Sequence, residues 1–216
     1  MDKPRILVVC ARRYNGHELW TALGIFKRRG YAFDVASTEL LIKDELTFQP
    51  NTIPRKVYDY PATAETFQKY VALVVVSGNM GDTEAYWEDP HVQSLVKVAD
   101  TEAKVVAAIC CSVPTLWQVV QDTKVSFFPL QRSRRRLQAG GAILQNVAVT
   151  VDKNKVTAEH QMATQMWAEE ICNRIEGKPQ HYTFVDSGFR PKGHERKFTP
   201  EILDSIYAAR REKAGQ

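Results

Sequence analysis

Cys110 stands at the end of an apolar run, Val105-Val106-Ala107-Ala108-Ile109, and Cys111-Ser112-Val113-Pro114-Thr115-Leu116 follows at once. A buried strand that stops at a cysteine and turns directly into a helix is the layout of a nucleophile elbow. Such a turn needs small residues two before and two after the nucleophile, because larger side chains collide where strand and helix cross. Ala108 and Ser112 meet that need around Cys110, whereas a turn centred on Cys111 would be flanked by Ile109 and Val113. Thiol chemistry is therefore assigned to Cys110. Backbone N–H groups at a helix start favour a thiolate over a thiol. The ordinary fate of a free cysteine is a small buried hydrophobe, and the elbow position is what argues against it here.

Other residues with chemical potential are fewer. The four cysteines, Cys10, Cys110, Cys111 and Cys172, show no ligand-like or disulfide-like spacing, and no metal site is expected. The histidines His17 and His160 are candidate bases, the former beside Glu18 and the latter after a late strand. Arg132, Arg134, Arg135 and Arg136 form the densest basic cluster, which by default is a solvated helix face. Ser77-Gly78-Asn79-Met80-Gly81 contains glycines but lacks the spacing of a dinucleotide-binding turn, so no organic cofactor is implied.

Alternating strands and helices must position these residues. Ile6–Ala11, Ala32–Ser37, Val71–Val76 and Val105–Ile109 are short apolar runs suited to strands buried on both faces. Glu18–Arg29 has Leu19, Leu23 and Phe26 at helical spacing, and Asp89-Pro90 opens a second helix running to about Ala103. Residues 38–68, with three prolines, suggest an excursion in the form of a small hairpin or a lid. Val147–Val151 and Val156–Ala158 read as a hairpin, and Met162–Ile175 as a closing helix. Strands followed by crossover helices imply an α/β fold, a parallel sheet with helices on both faces. Residues 178–216 change character, and Thr199-Pro200-Glu201 starts a terminal helix.

Composition bounds the function. A chain of 216 residues, 44% hydrophobic and 25% charged, has the make-up of an ordinary globular domain. The net charge of +4 permits an anionic ligand without arguing for nucleic acid. No apolar run approaches the ~20 residues of a membrane span. With no secretory pattern at the start, a cytoplasmic protein is expected.

Four patches together resemble the ThiJ/PfpI superfamily, relatives of the class I glutamine amidotransferase domain. They are RILVVCARRYNGHELWTALGIFKRRGYAFDVAS, VVVSGNMG, DPHVQSLVKVADTEAKVVAAICCSVPTL and NVAVTVDKNKVTA. The likeness covers roughly residues 4–176 and implies a three-layer, flavodoxin-like sandwich over residues 1–177, with 178–216 as an extension. It implies that Glu18 matches an acid hydrogen-bonded to the nucleophile, kept protonated because two adjacent negative charges repel. It also implies that the backbone N–H groups of Gly78 and Cys111 face an oxyanion. Two departures stand out. Cys111 occupies the place of a histidine that often follows the nucleophile, and Phe128 that of a histidine before a Pro-Leu pair.

The resemblance thus implies a cysteine-dependent enzyme acting on a small carbonyl compound or amide. Cys110 would be the nucleophile, Glu18 its acid, His160 a substitute base, and Arg12 and Arg13 the groups that meet an anionic substrate. A homodimer is implied as well. Two alternatives stay open: a redox-sensing or protective thiol protein, and a scaffold whose C-terminal arm is the functional surface.

Overall fold

The computed structural model describes residues 3–38, 41–44, 50–52 and 55–181. The chain runs β1 (Arg5–Cys10), β2 (Arg13–Tyr14), α1 (Gly16–Arg28), β3 (Ala32–Ser37), β4 (Leu41–Asp44), β5 (Pro50–Thr52) and β6 (Arg55–Lys56). It continues with α2 (Ala64–Gln68), β7 (Tyr70–Val76), α3 (Met80–Glu88), α4 (Pro90–Thr101) and β8 (Val105–Ile109). Then come β9 (Lys124–Ser126), α5 (Gln131–Ala139), β10 (Ile143–Gln145), β11 (Val149–Asp152), β12 (Lys155–Ala158) and α6 (Thr164–Ile175). The terminal helix expected after Thr199 lies outside the described residues.

Seven strands form the central sheet in the order β11-β12-β8-β7-β1-β3-β6. Every neighbour is parallel except β11, which pairs antiparallel with β12 as the expected hairpin. Alternate residues of each strand feed two cores, as the period of two requires. Ile6, Val8, Val74, Ala107 and Val156 pack under Phe26 of α1 and Trp167 of α6. Leu7, Val9, Val75, Val106 and Ala108 pack under Leu95 and Val96 of α4 and Leu137 of α5. The result is the three-layer α/β sandwich implied by the sequence. Trp167, fully buried, also donates its indole N–H to the Val156 carbonyl at 3.0 Å, which ties α6 to β12.

Helix starts follow their caps. Asn15 accepts from the Glu18 N–H at 3.2 Å, and Asp89 accepts from His91 and Val92, with Pro90 in the first turn. Within the excursion after β3, β4 and β5 pair antiparallel, and β4 runs parallel to β2. Several short strands escaped sequence reasoning, among them β9 and β10, which make a separate parallel pair beside the main sheet.

Candidate active site

The elbow is present and strained. Ile109 is extended, and Cys110 turns into the left-handed region at φ +57°. That conformation costs an L-residue roughly 1–2 kcal/mol. The helix expected after the elbow is present over Cys110–Val119 as a 3₁₀-helix, and it contains Pro114. In a 3₁₀-helix each N–H bonds the carbonyl three residues back; Pro114 has no N–H to give the Cys111 carbonyl. Trp87 of α3 supplies the replacement, donating its indole N–H to the Cys111 carbonyl at 3.1 Å. Ser112, fully buried, closes the turn. Its hydroxyl accepts from the Ile109 N–H at 3.1 Å and lies 2.7 and 2.8 Å from the carbonyl oxygens of Ile109 and Val75. Trp87→Phe should therefore leave a buried carbonyl without a donor. The expected loss in urea unfolding is about 1–3 kcal/mol, together with an altered rate of Cys110 alkylation.

Glu18 reaches the same place from α1. Its side chain is fully buried, and Oε2 accepts from the Ser77 N–H at 2.9 Å and the Ser77 hydroxyl at 2.7 Å. The loop before α1 is laid against the turn after β7. Asn15 N–H donates to the Ser77 carbonyl at 2.9 Å, and Asn79 N–H to the Arg13 carbonyl at 2.7 Å. Gly78 makes this approach possible, since a Cβ there would lie 1.9 Å from the Arg13 carbonyl oxygen. Ala108 pairs with Val75, and Ile109 with Ala158. Continued by one or two residues, these registers set Cys110 between Ser77 and Glu159. The site thus lies at the carboxyl edge of the parallel strands, where open α/β sheets bind ligands.

Cys110 is half-buried, while Cys111 is buried at 5% exposure. Their sulfurs lie 3.6 Å apart. The Cys110 thiol is pushed well above its usual ionisation range, first by its hydrogen bond with Cys111. Burial follows, then the electrostatic influence of Cys111 and of Glu18, while the Ser77 hydroxyl acts in the opposite direction. These neighbours oppose the amide dipoles at the helix start, which by themselves favour a thiolate.

The other expected residues fall in different places. Gly78 donates its N–H to the Thr83 hydroxyl at 3.1 Å, so an oxyanion would have to compete for it. The Cys111 N–H lies in the first turn of the 3₁₀-helix, where amides lack partners within the helix. Arg12 is exposed. Arg13 is held by Asp82, with bonds of 2.7 and 3.1 Å, and by Asn79 at 3.0 Å. His160 stacks on Phe128 with ring centroids 5.8 Å apart, and its Nδ1 accepts from the Met162 N–H. That bond places the imidazole proton on Nε2, and burial lowers the pKa of the ring. Arg132 and Arg136 pair with Glu84 and Glu88 of α3, and Arg136 also covers the Trp117 ring at 4.5 Å. Those two arginines of the basic cluster thus tie α5 to its neighbours.

Sequence reasoning missed two residues. Ser77 was visible only as the first residue of a glycine-containing turn. Glu159, 8% exposed, borders a cavity of about 230 Å³ lined also by Phe127, Pro129 and Arg134. Among the described residues no group of three or more His, Cys, Asp or Glu is arranged to hold a metal ion, and no helix is long and apolar enough to cross a membrane.

Known proteins are similar to this chain in sequence or in fold. An uncharacterized protein of Methanocaldococcus jannaschii is 27% identical over 173 residues, 79% of this chain and 82% of that protein. The crystal structure of a ThiJ/PfpI domain protein from Brachyspira murdochii has a TM-score of 0.70 at 21% identity, covering 82% of this chain and all of the other. Drosophila melanogaster DJ-1beta has a TM-score of 0.67 at 19% identity, covering 82% of this chain and 92% of its own. At such identities the two structures share the fold alone. The DJ-1/PfpI family model, however, matches residues 4–174, from before β1 to the last turn of α6. With the elbow and the buried acid inside that span, the chain belongs to the DJ-1/PfpI family.

Proposed function

We propose that the protein is a cysteine-dependent enzyme acting on a small carbonyl compound or amide, with Cys110 as nucleophile and Glu18 as its proton partner. One observation carries this: a half-buried cysteine is held in strained backbone at the carboxyl edge of the sheet, within the field of a fully buried glutamate. In this reading the resting proton is on the sulfur, and the two donors of Ser77 support a carboxylate at Glu18 in place of the protonated acid that the resemblance implies. As substrate arrives, the proton passes from Sγ to the carboxylate while sulfur attacks the carbonyl carbon. The resulting acid then returns that proton to the developing alkoxide. The Cys111 N–H is the oxyanion donor at the helix start. Glu18 therefore fills the role that the two missing histidines leave vacant. His160 is kept from it, because the nitrogen that could accept a proton already accepts from Met162.

Arg12, exposed on the loop leading into α1, is the candidate to meet an anionic substrate group. The test is turnover of methylglyoxal and of simple amides, with peptide mass spectrometry of a reaction stopped in progress. A covalent adduct on Cys110 together with turnover of one class supports the assignment. An unmodified Cys110 and no turnover of either class would overturn it.

A further inference from the structure

The adjacent sulfurs of Cys110 and Cys111 are arranged for something beyond single-thiol attack. They lie 3.6 Å apart, one half-buried and the other almost sealed. A disulfide would have to draw them to about 2.05 Å, and disulfides ordinarily bridge Cα atoms about 4.4–6.8 Å apart. Neighbouring residues hold theirs at about 3.8 Å. Direct pairing is therefore strained. Chelation is not: a 3.6 Å separation subtends about 103° at a centre bonded to both sulfurs at about 2.3 Å, the length of a zinc–thiolate bond. That angle is near tetrahedral and suits a pyramidal centre. The strained φ of Cys110 and the Trp87 bond to the Cys111 carbonyl hold the backbone of the pair in place before any ligand arrives.

We propose that Cys110 and Cys111 form a two-thiol capture site for soft, thiophilic centres with two exchangeable positions, of which trivalent organoarsenicals are the class. An arsenic bearing one organic group and one oxo ligand enters at Cys110. Two S–H bonds break and two As–S bonds form, the oxo oxygen leaves with both protons as water, and no atom changes oxidation state. Cys10 and Cys172, both fully buried and pushed up to about 12 by burial, do not compete. The inference shares with the proposed function an accessible Cys110 but requires no turnover.

The experiment uses phenylarsine oxide and the full chain, read by intact mass and peptide mapping, with glutathione and then a dithiol as competitors. One adduct should form and should block alkylation of both Cys110 and Cys111. Displacing it should need roughly 10²-fold more glutathione than for Cys111→Ser, since the second bond forms within the molecule; a dithiol should release it readily. Equal displacement from the wild type and Cys111→Ser, or an adduct mapped to Cys10 or Cys172, would overturn the proposal. The wild-type competition between glutathione and the dithiol remains decisive if that variant folds poorly. Ordinary alkylation of Cys110 without arsenical capture sinks this inference and leaves the catalytic assignment standing.

Discussion

Cys110→Gly should lose turnover by more than roughly 10³-fold while unfolding at no lower free energy than Cys110→Ala. The two variants remove the same sulfur and differ only in backbone freedom. At φ +57° alanine retains the left-handed strain of roughly 1–2 kcal/mol. Glycine escapes it and forfeits roughly 0.5–1 kcal/mol of chain entropy. The glycine variant should therefore be more stable than the alanine variant by up to about 1.5 kcal/mol in urea unfolding. Strain that is relieved only by giving up the nucleophile is strain held for function. A glycine variant clearly less stable than the alanine variant would mean that the elbow is relaxed.

Glu18 separates chemistry from architecture. Glu18→Ala strips the acceptor from the Ser77 N–H and hydroxyl inside a fully buried site. Each orphaned donor costs about 1–3 kcal/mol, so this variant should be among the least stable single substitutions in the chain. Glu18→Gln keeps the shape and one acceptor oxygen, and it should fold. It cannot take a proton from Cys110, and turnover should drop by about 10²–10⁴-fold, the usual worth of a general base. Native-like stability with native-like turnover in Glu18→Gln would remove the proton partner from the mechanism.

Much of the fold was legible because parallel strands buried on both faces read as unbroken apolar runs. β3 and β8 fall on the predicted residues, β1 shifts by one and β7 begins one residue earlier. α3 was missed because Met80–Glu88 presents no clear apolar stripe; it packs through Thr83, Tyr86 and Trp87. β9 and β10, three residues each, are too short to show a period. The elbow and its small neighbours could be read from spacing, but the bond that Trp87 brings to the Cys111 carbonyl from another helix could not. The groups that raise the Cys110 thiol were out of reach of the sequence for a similar reason. Amide dipoles are implied by local sequence, whereas the opposing effects of Cys111, burial and Glu18 need coordinates. Arg13 looked ready for substrate until Asp82, distant in sequence, claimed its guanidinium.

The pH dependence of Cys110 alkylation by iodoacetamide, in the wild type and in Glu18→Gln, bears most directly on the coupling of sulfur and carboxylate. Because Cys111, burial and Glu18 all hold the thiol up, the wild-type rate should climb through alkaline pH, with a midpoint above that of an ordinary cysteine. Removing the charge of Glu18 should move the midpoint down and speed alkylation at pH 7.5. The gain should be about threefold for each whole pH step the midpoint descends, after allowing for the weaker nucleophilicity of a less basic sulfur. The same substitution thus accelerates alkylation and abolishes turnover. A wild-type midpoint below pH 7, or slower alkylation in Glu18→Gln, would show a protonated glutamate stabilising a resting thiolate and would contradict the assignment of Glu18 as the base.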